Sequence, residues 1–124
     1  MNITQIQPIT ASQVGNVWTL KVTYTATFTD QEKNPPFNYT FRDSIQIWED
    51  DNYKDDQITG WVSASNFNPS VNSVKRTLTT VVNGDDLDTE LAKGEEIYAK
   101  IQLRNFTTGG VPVVKNTENI HLAP

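Results

Sequence analysis

The residues of this chain that could do chemistry are few, and most of them are carboxylates. Cysteine is absent and His121 is the single histidine. A serine nucleophile would therefore have one candidate base, close to the carboxyl end. No G-x-S-x-G, H-E-x-x-H, P-loop or G-x-G-x-x-G spacing occurs. These absences lead to the expectation of a protein that is not an enzyme. The densest polar group is the stretch from Trp48 to Gly60, where five carboxylates fall within the eight residues from Glu49 to Asp56. Carboxylates crowded on one loop repel each other unless they are hydrated or gathered around a cation. Calcium, which takes six to eight oxygen ligands, is the cation such a loop suits. Three aromatic residues, Trp48, Tyr53 and Trp61, flank the same stretch. Exposed on a sheet, they are candidates to stack on sugar rings or to anchor a protein partner. A second acidic group, Asp85, Asp86, Asp88 and Glu90, reads instead as the first turn of a short helix, where acids complement the helix dipole.

The elements that must position these residues are strands. From Val17 to Thr29, the residues Trp18, Leu20, Val22, Tyr24, Ala26 and Phe28 alternate strictly with Thr19, Lys21, Thr23, Thr25 and Thr27. That period of two predicts a central antiparallel strand with one buried and one wet face, Trp18 lying in the core. A second strand is expected from Asn38 to Trp48, with Tyr39, Phe41, Ile45 and Ile47 on one face. Asp43 interrupts that face, which implies a bulge, a bend or a strand end. Trp48 falls on the opposite face. Further strands are expected over 74–82, ending at the Asn83-Gly84 turn, and over 96–106, ending at Thr107-Thr108-Gly109-Gly110. Weaker segments over 3–9, 58–63 and from Val111 onward complete seven or eight strands, and a short helical turn is expected over 85–93. Strands this short with turns this frequent predict an all-β fold, a single antiparallel β-sandwich.

Composition narrows the function. The chain has 124 residues with ten basic and fifteen acidic side chains, a net charge of −5. One domain spanning 1–124 is expected at this length. Nucleic acid is excluded as a partner by the absence of clustered lysine and arginine. No apolar run is long enough to cross a bilayer. The start of the chain shows no basic segment followed by an apolar one, so the default localisation is cytoplasmic.

Two stretches resemble known families. Asn34-Pro35-Pro36-Phe37-Asn38-Tyr39-Thr40-Phe41, then Ile45-Gln46-Ile47-Trp48-Glu49-Asp50-Asp51, then Asp55-Asp56-Gln57-Ile58-Thr59-Gly60 resembles the middle of a C2 domain, an eight-stranded antiparallel sandwich. By that resemblance Glu49 and Asp51 would stand at the D-x-D positions, with Asp56 or Asp55 as the later calcium ligand. Calcium would then bridge the acidic domain to anionic lipid, if it touches membrane at all. Leu91-Ala92-Lys93-Gly94-Glu95-Glu96-Ile97-Tyr98-Ala99-Lys100-Ile101 is similar to the corner before the penultimate strand of fibronectin type III and immunoglobulin-like domains. Tyr98 is out of phase with Ile97, Ala99 and Ile101, whereas the family tyrosine points inward. The combined expectation is an interaction or structural module with a calcium-supported loop. The alternatives are a carbohydrate-binding module and a subunit of a larger assembly.

Overall fold

The computed structural model describes residues 1–51, 53–87 and 95–123. In chain order its strands are β1 (Asn2–Thr4), β2 (Thr10–Val14), β3 (Val17–Thr27), β4 (Phe41–Glu49), β5 (Asp56–Gln57), β6 (Val62–Phe67), β7 (Ser73–Asn83), β8 (Glu95–Asn105), β9 (Val113–Asn116) and β10 (Ile120–Leu122). They form two antiparallel sheets packed against each other, so the chain is an all-β sandwich. In one sheet β3 is central, with β1 and β2 along one side and β7 along the other. In the second sheet β4 and β8 form the central pair. β5 and β6 share the far side of β4, and β9 and β10 share the far side of β8.

The alternation that predicts β3 is realised residue by residue. Trp18, Leu20, Val22, Tyr24 and Ala26 are buried, and Thr23 on the outer face has its hydroxyl 3.2 Å from that of Thr77 on β7. Across the core they meet Phe41, Ile45 and Ile47 of β4 and Ile97, Ala99, Ile101 and Leu103 of β8. Each valine, leucine, isoleucine or phenylalanine among them contributes on the order of 1.5–3 kcal/mol on leaving water. Phe28, Phe41 and Phe67 close one end of this core, the first two with ring centroids 4.5 Å apart.

Asp43 does not end its strand. β4 runs through it, and the irregularity is a register shift against β6 between Asp43 and Ile45. The carboxylate points into the sandwich with 0 % exposure. It survives there because it is fully paired, as a buried charge must be. The Tyr24 hydroxyl donates to Oδ2 at 2.7 Å, and Arg76 donates from Nε to Oδ2 at 2.8 Å and from Nη2 to Oδ1 at 3.1 Å. Arg76 also donates to the Ser65 hydroxyl and lies 3.9 Å from the Phe67 ring centre. Burial and the neighbouring carboxylate hold the Tyr24 phenol well above its ordinary range. The hydrogen bond to Asp43 raises the Arg76 guanidinium further. Tyr24 and Arg76 belong to one sheet and Asp43 to the other, so this network ties the two layers together.

Other differences from the sequence expectations are local. Of the segment expected over 3–9 the strand covers the start, β1 ending at Thr4 ahead of Gln5, whose φ is +48°; β2 (Thr10–Val14) follows as a strand outside the expected segments. The segment expected over 58–63 falls mostly between strands: β5 ends before it at Gln57, and β6 begins at Val62. Helical structure among the described residues is the single 3-10 turn Gly84–Asp86, capped by the Asn83 side chain accepting from the Asp85 N–H. The remainder of the helix expected over 85–93 lies outside the described residues. Asn16, in the β2–β3 turn, donates to both Asn83 and Asp85, while the Gly84 N–H donates to the Asn16 carbonyl at 2.7 Å. A side chain at position 84 would collide with Asn16. Among the described residues no helix is long and apolar enough to cross a membrane.

Candidate functional site

β4 delivers its last residues, Trp48 and Glu49, to opposite faces, because successive strand side chains alternate. Glu49 is in phase with Ile45 and Ile47 and is 3 % exposed, facing the interior. Asp56 stands opposite it across the β4–β5 pairing but is exposed. The four acids named from the sequence are therefore not gathered at one point. Glu49 is directed inward, Asp51 and Asp56 lie exposed, and Asp55 turns back against β8. Among the described residues, no group of three or more His, Asp or Glu side chains could hold a metal ion together.

The loop between β4 and β5 is instead anchored by hydrogen bonds at its two roots. At the first, the Asp50 N–H donates to the Glu96 carbonyl at 2.9 Å, and Asn119 donates from Nδ2 to Asp50 Oδ2 at 2.5 Å. At the second, the Tyr98 hydroxyl donates to Asp55 Oδ2 at 2.6 Å, and the Asp51 N–H reaches Asp55 Oδ1 at 3.3 Å. Between these roots the Tyr53 ring projects with 97 % exposure. An open hollow of ≈ 220 Å³ lies beside the roots, lined by Asp50, Asp55, Tyr98, Asn116, Thr117 and Asn119.

The outer face of the same sheet carries the remaining aromatics. Trp48 and Tyr98 are cross-strand partners with ring planes 15° apart and centroids separated by 6.4 Å. Lys100 Nζ sits 4.3 Å from the Trp48 ring centre, and Trp48 Nε1 donates to Gln46 Oε1 at 2.7 Å. Trp61 is 41 % exposed, with no ring partner among the described residues. His121 on β10 stands with Nδ1 2.7 Å from Glu96 Oε1, both exposed.

Tyr98, Asp50, Asn116, Thr117 and Asn119 are the site residues that reading the chain did not single out as such. The out-of-phase position of Tyr98 was the available signal, since it places the phenol on the outer face beside Trp48, next to the end of β4. The hydrogen bond from the Tyr98 hydroxyl, followed by that from the Asp51 N–H, holds the Asp55 carboxyl below its usual range. Burial, then Asp55 itself, pushes the Tyr98 phenol up to about 12. The signs follow directly. A lowered Asp55 favours the folded state above the ordinary carboxylate range and loses that effect as pH falls. A raised Tyr98 favours it below the ordinary tyrosine value, and that contribution disappears as pH rises through about 12. Tyr98→Phe should therefore move the Asp55 titration back toward the ordinary value of about 3.9, followed by carboxyl carbon chemical shifts. An unmoved titration would mean that the phenol does not hold the loop.

No family model matches this chain, and no curated protein matches it significantly.

Proposed function

We propose that this chain is a non-enzymatic β-sandwich interaction module that recognises a protein partner through Tyr53 and the acidic loop around it. The observation that carries the reading is the Tyr53 ring, 97 % exposed, on a loop hydrogen-bonded to the sheet at both roots. Tyrosine offers a large amphipathic contact surface at the cost of ordering two side-chain torsions. A loop already tied at its roots has less freedom to lose on binding. The succession of strands supports the class. β1/β2, β3 and β7 oppose β5/β6, β4, β8 and β9/β10, an order close to that of immunoglobulin-type sandwiches, with the fourth position moved to the second sheet. Such sandwiches cluster their recognition loops at the ends, as here. Shared architecture transfers no partner, so the site residues carry the proposal.

Tyr53→Ala is the direct test. The thermal midpoint should stay unchanged, because surface substitutions alter stability by less than about 0.5 kcal/mol. Binding of partners from the source extract to the immobilised protein should fall at least tenfold, the loss of about 1.4 kcal/mol that a contact residue of this kind carries. An undiminished set of bound proteins would contradict the reading.

The carbohydrate alternative is less well supported: Tyr98 is nearly buried and Lys100 occupies one face of Trp48, leaving little ring surface for a sugar. Calcium keeps one specific observation in its favour. Asp50 and Asp55 line one hollow together with Asn116, Thr117 and Asn119. Two carboxylates with neutral amide and hydroxyl side chains beside them would hold calcium weakly, with a Kd on the order of 10⁻³ M. Glu49, facing the interior, is not part of that set. Raising calcium from excess EDTA to about a hundred times that Kd should add about 2.7 kcal/mol to the unfolding free energy. That gain should vanish in Asp50→Asn/Asp55→Asn. A midpoint indifferent to calcium would remove this second reading.

A further inference from the structure

The charges of this sandwich are segregated along the strand axis. β4 and β8 are antiparallel, so the start of β4 and the end of β8 meet at one end of the molecule, and the acidic loop lies at the other. The acidic end displays Asp50, Asp51, Asp56, Asp85 and Asp86 as exposed carboxylates. At the opposite end the acids are already engaged. Asp30 pairs with Lys33 at 3.3 Å, and Glu32 with the amino terminus at 2.6 Å. What remains there is cationic. Arg42 and Arg104 are direct cross-strand partners on the outer face, an arrangement that places like charges opposite each other and costs stability. Neither makes an ion pair among the described residues. Both guanidinium groups instead flank one ring, Phe106, at 4.0 and 5.6 Å from its centre, and that ring is 43 % exposed.

Arg42 also donates from Nε to Asn66 Oδ1 at 2.7 Å, but two arginines without a counter-charge around an exposed aromatic ring suit a loop that brings carboxylates and a tyrosine together. This chain makes such a loop at its other end. The two ends stand about 27 Å apart, eight residue steps along β4. That exceeds the Debye length of about 10 Å at 0.1 M salt, so the ends do not neutralise each other within one molecule. We infer that the acidic Tyr53 loop of one copy docks on the Arg42–Phe106–Arg104 face of a second, joining copies head to tail. This rests on the interaction role of the Tyr53 loop and names its partner. The contact uses different surfaces on the two copies, so a pair keeps a free head and a free tail, and further copies add until the chain closes into a ring or runs on as an open filament.

The test is the weight-average mass by sedimentation equilibrium across a concentration series. In ~10 mM salt, where the Debye length is about 30 Å, the mass should climb from the monomer toward twice its value or more. In ~1 M salt, where it is about 3 Å, the protein should return to the monomer. Arg42→Glu/Arg104→Glu and Asp51→Lys/Asp56→Lys should each be monomeric at low salt with unchanged far-ultraviolet circular dichroism. An equimolar mixture of the two should associate again, because each mutated end then faces an end of opposite charge. A misfolded variant could not produce that rescue. A wild-type protein that stays monomeric at low salt overturns the inference, and so does association that survives the arginine reversal. If either result comes with partner capture that still depends on Tyr53, the interaction role stands and only the identity of the partner falls.

Discussion

Replacing Asp43 with alanine should destabilise the fold by about 3–5 kcal/mol, because it leaves the buried Tyr24 hydroxyl without its acceptor and the partly buried Arg76 without its counter-charge. The carboxylate has 0 % exposure and is the acceptor for both the Tyr24 hydroxyl and the Arg76 fork. Without it the guanidinium retains Ser65 and the Phe67 ring but no counter-charge. Urea unfolding would show the loss as a lower midpoint at unchanged slope. The triple substitution Tyr24→Phe/Asp43→Leu/Arg76→Met should recover much of it, since it removes the buried hydroxyl with its acceptor, and apolar groups of similar volume commonly replace a buried ion pair at little cost. A single variant within about 0.5 kcal/mol of the wild type, the range of ordinary surface substitutions, would show that the network does not join the sheets.

The second large effect belongs to Phe41. It is fully buried, lies 4.5 Å from Phe28 between ring centroids, and seals the end of the core opposite the acidic loop. Phe41→Ala should cost about 3–5 kcal/mol through lost burial and the cavity left behind. Val81→Ala, on the outer face of β7 at 60 % exposure, is the control and should be close to neutral. Comparable losses at the two positions would mean that the inward and outward faces of the sandwich have been misassigned.

The core was the most legible part of the chain, because one buried face imposes strict alternation. β3 shows this from Val17 to Thr27, and Ile97, Ala99, Ile101 and Leu103 repeat it in β8. β2 was illegible for the complementary reason. All five of its residues are exposed, so no periodicity marks it, and it is a strand only because β3 offers it a free edge. Glu49 shows how far phase alone could have gone. Two residues beyond Ile47 on the same strand, it had to face inward; Asp51 has the same parity and escapes to the surface only because β4 ends at Glu49. The roots of the acidic loop could not be found that way. Asp50 meets Asn119 and Asp55 meets Tyr98 through the β4–β8 and β8–β10 registers, which are long-range facts. Arg42 and Arg104 were hidden likewise. Each is an ordinary surface residue in sequence, and only the register places them opposite each other.

The central claim is that partners are met at Tyr53. A photoreactive phenylalanine analogue at position 53, compared with the same group at Thr77 on the outer face of β7, measures this most directly. The account predicts discrete cross-linked species from position 53, either to other copies or to proteins of the source extract, and none from position 77. Equal cross-linking from both positions, or cross-linking from 77 alone, would contradict it.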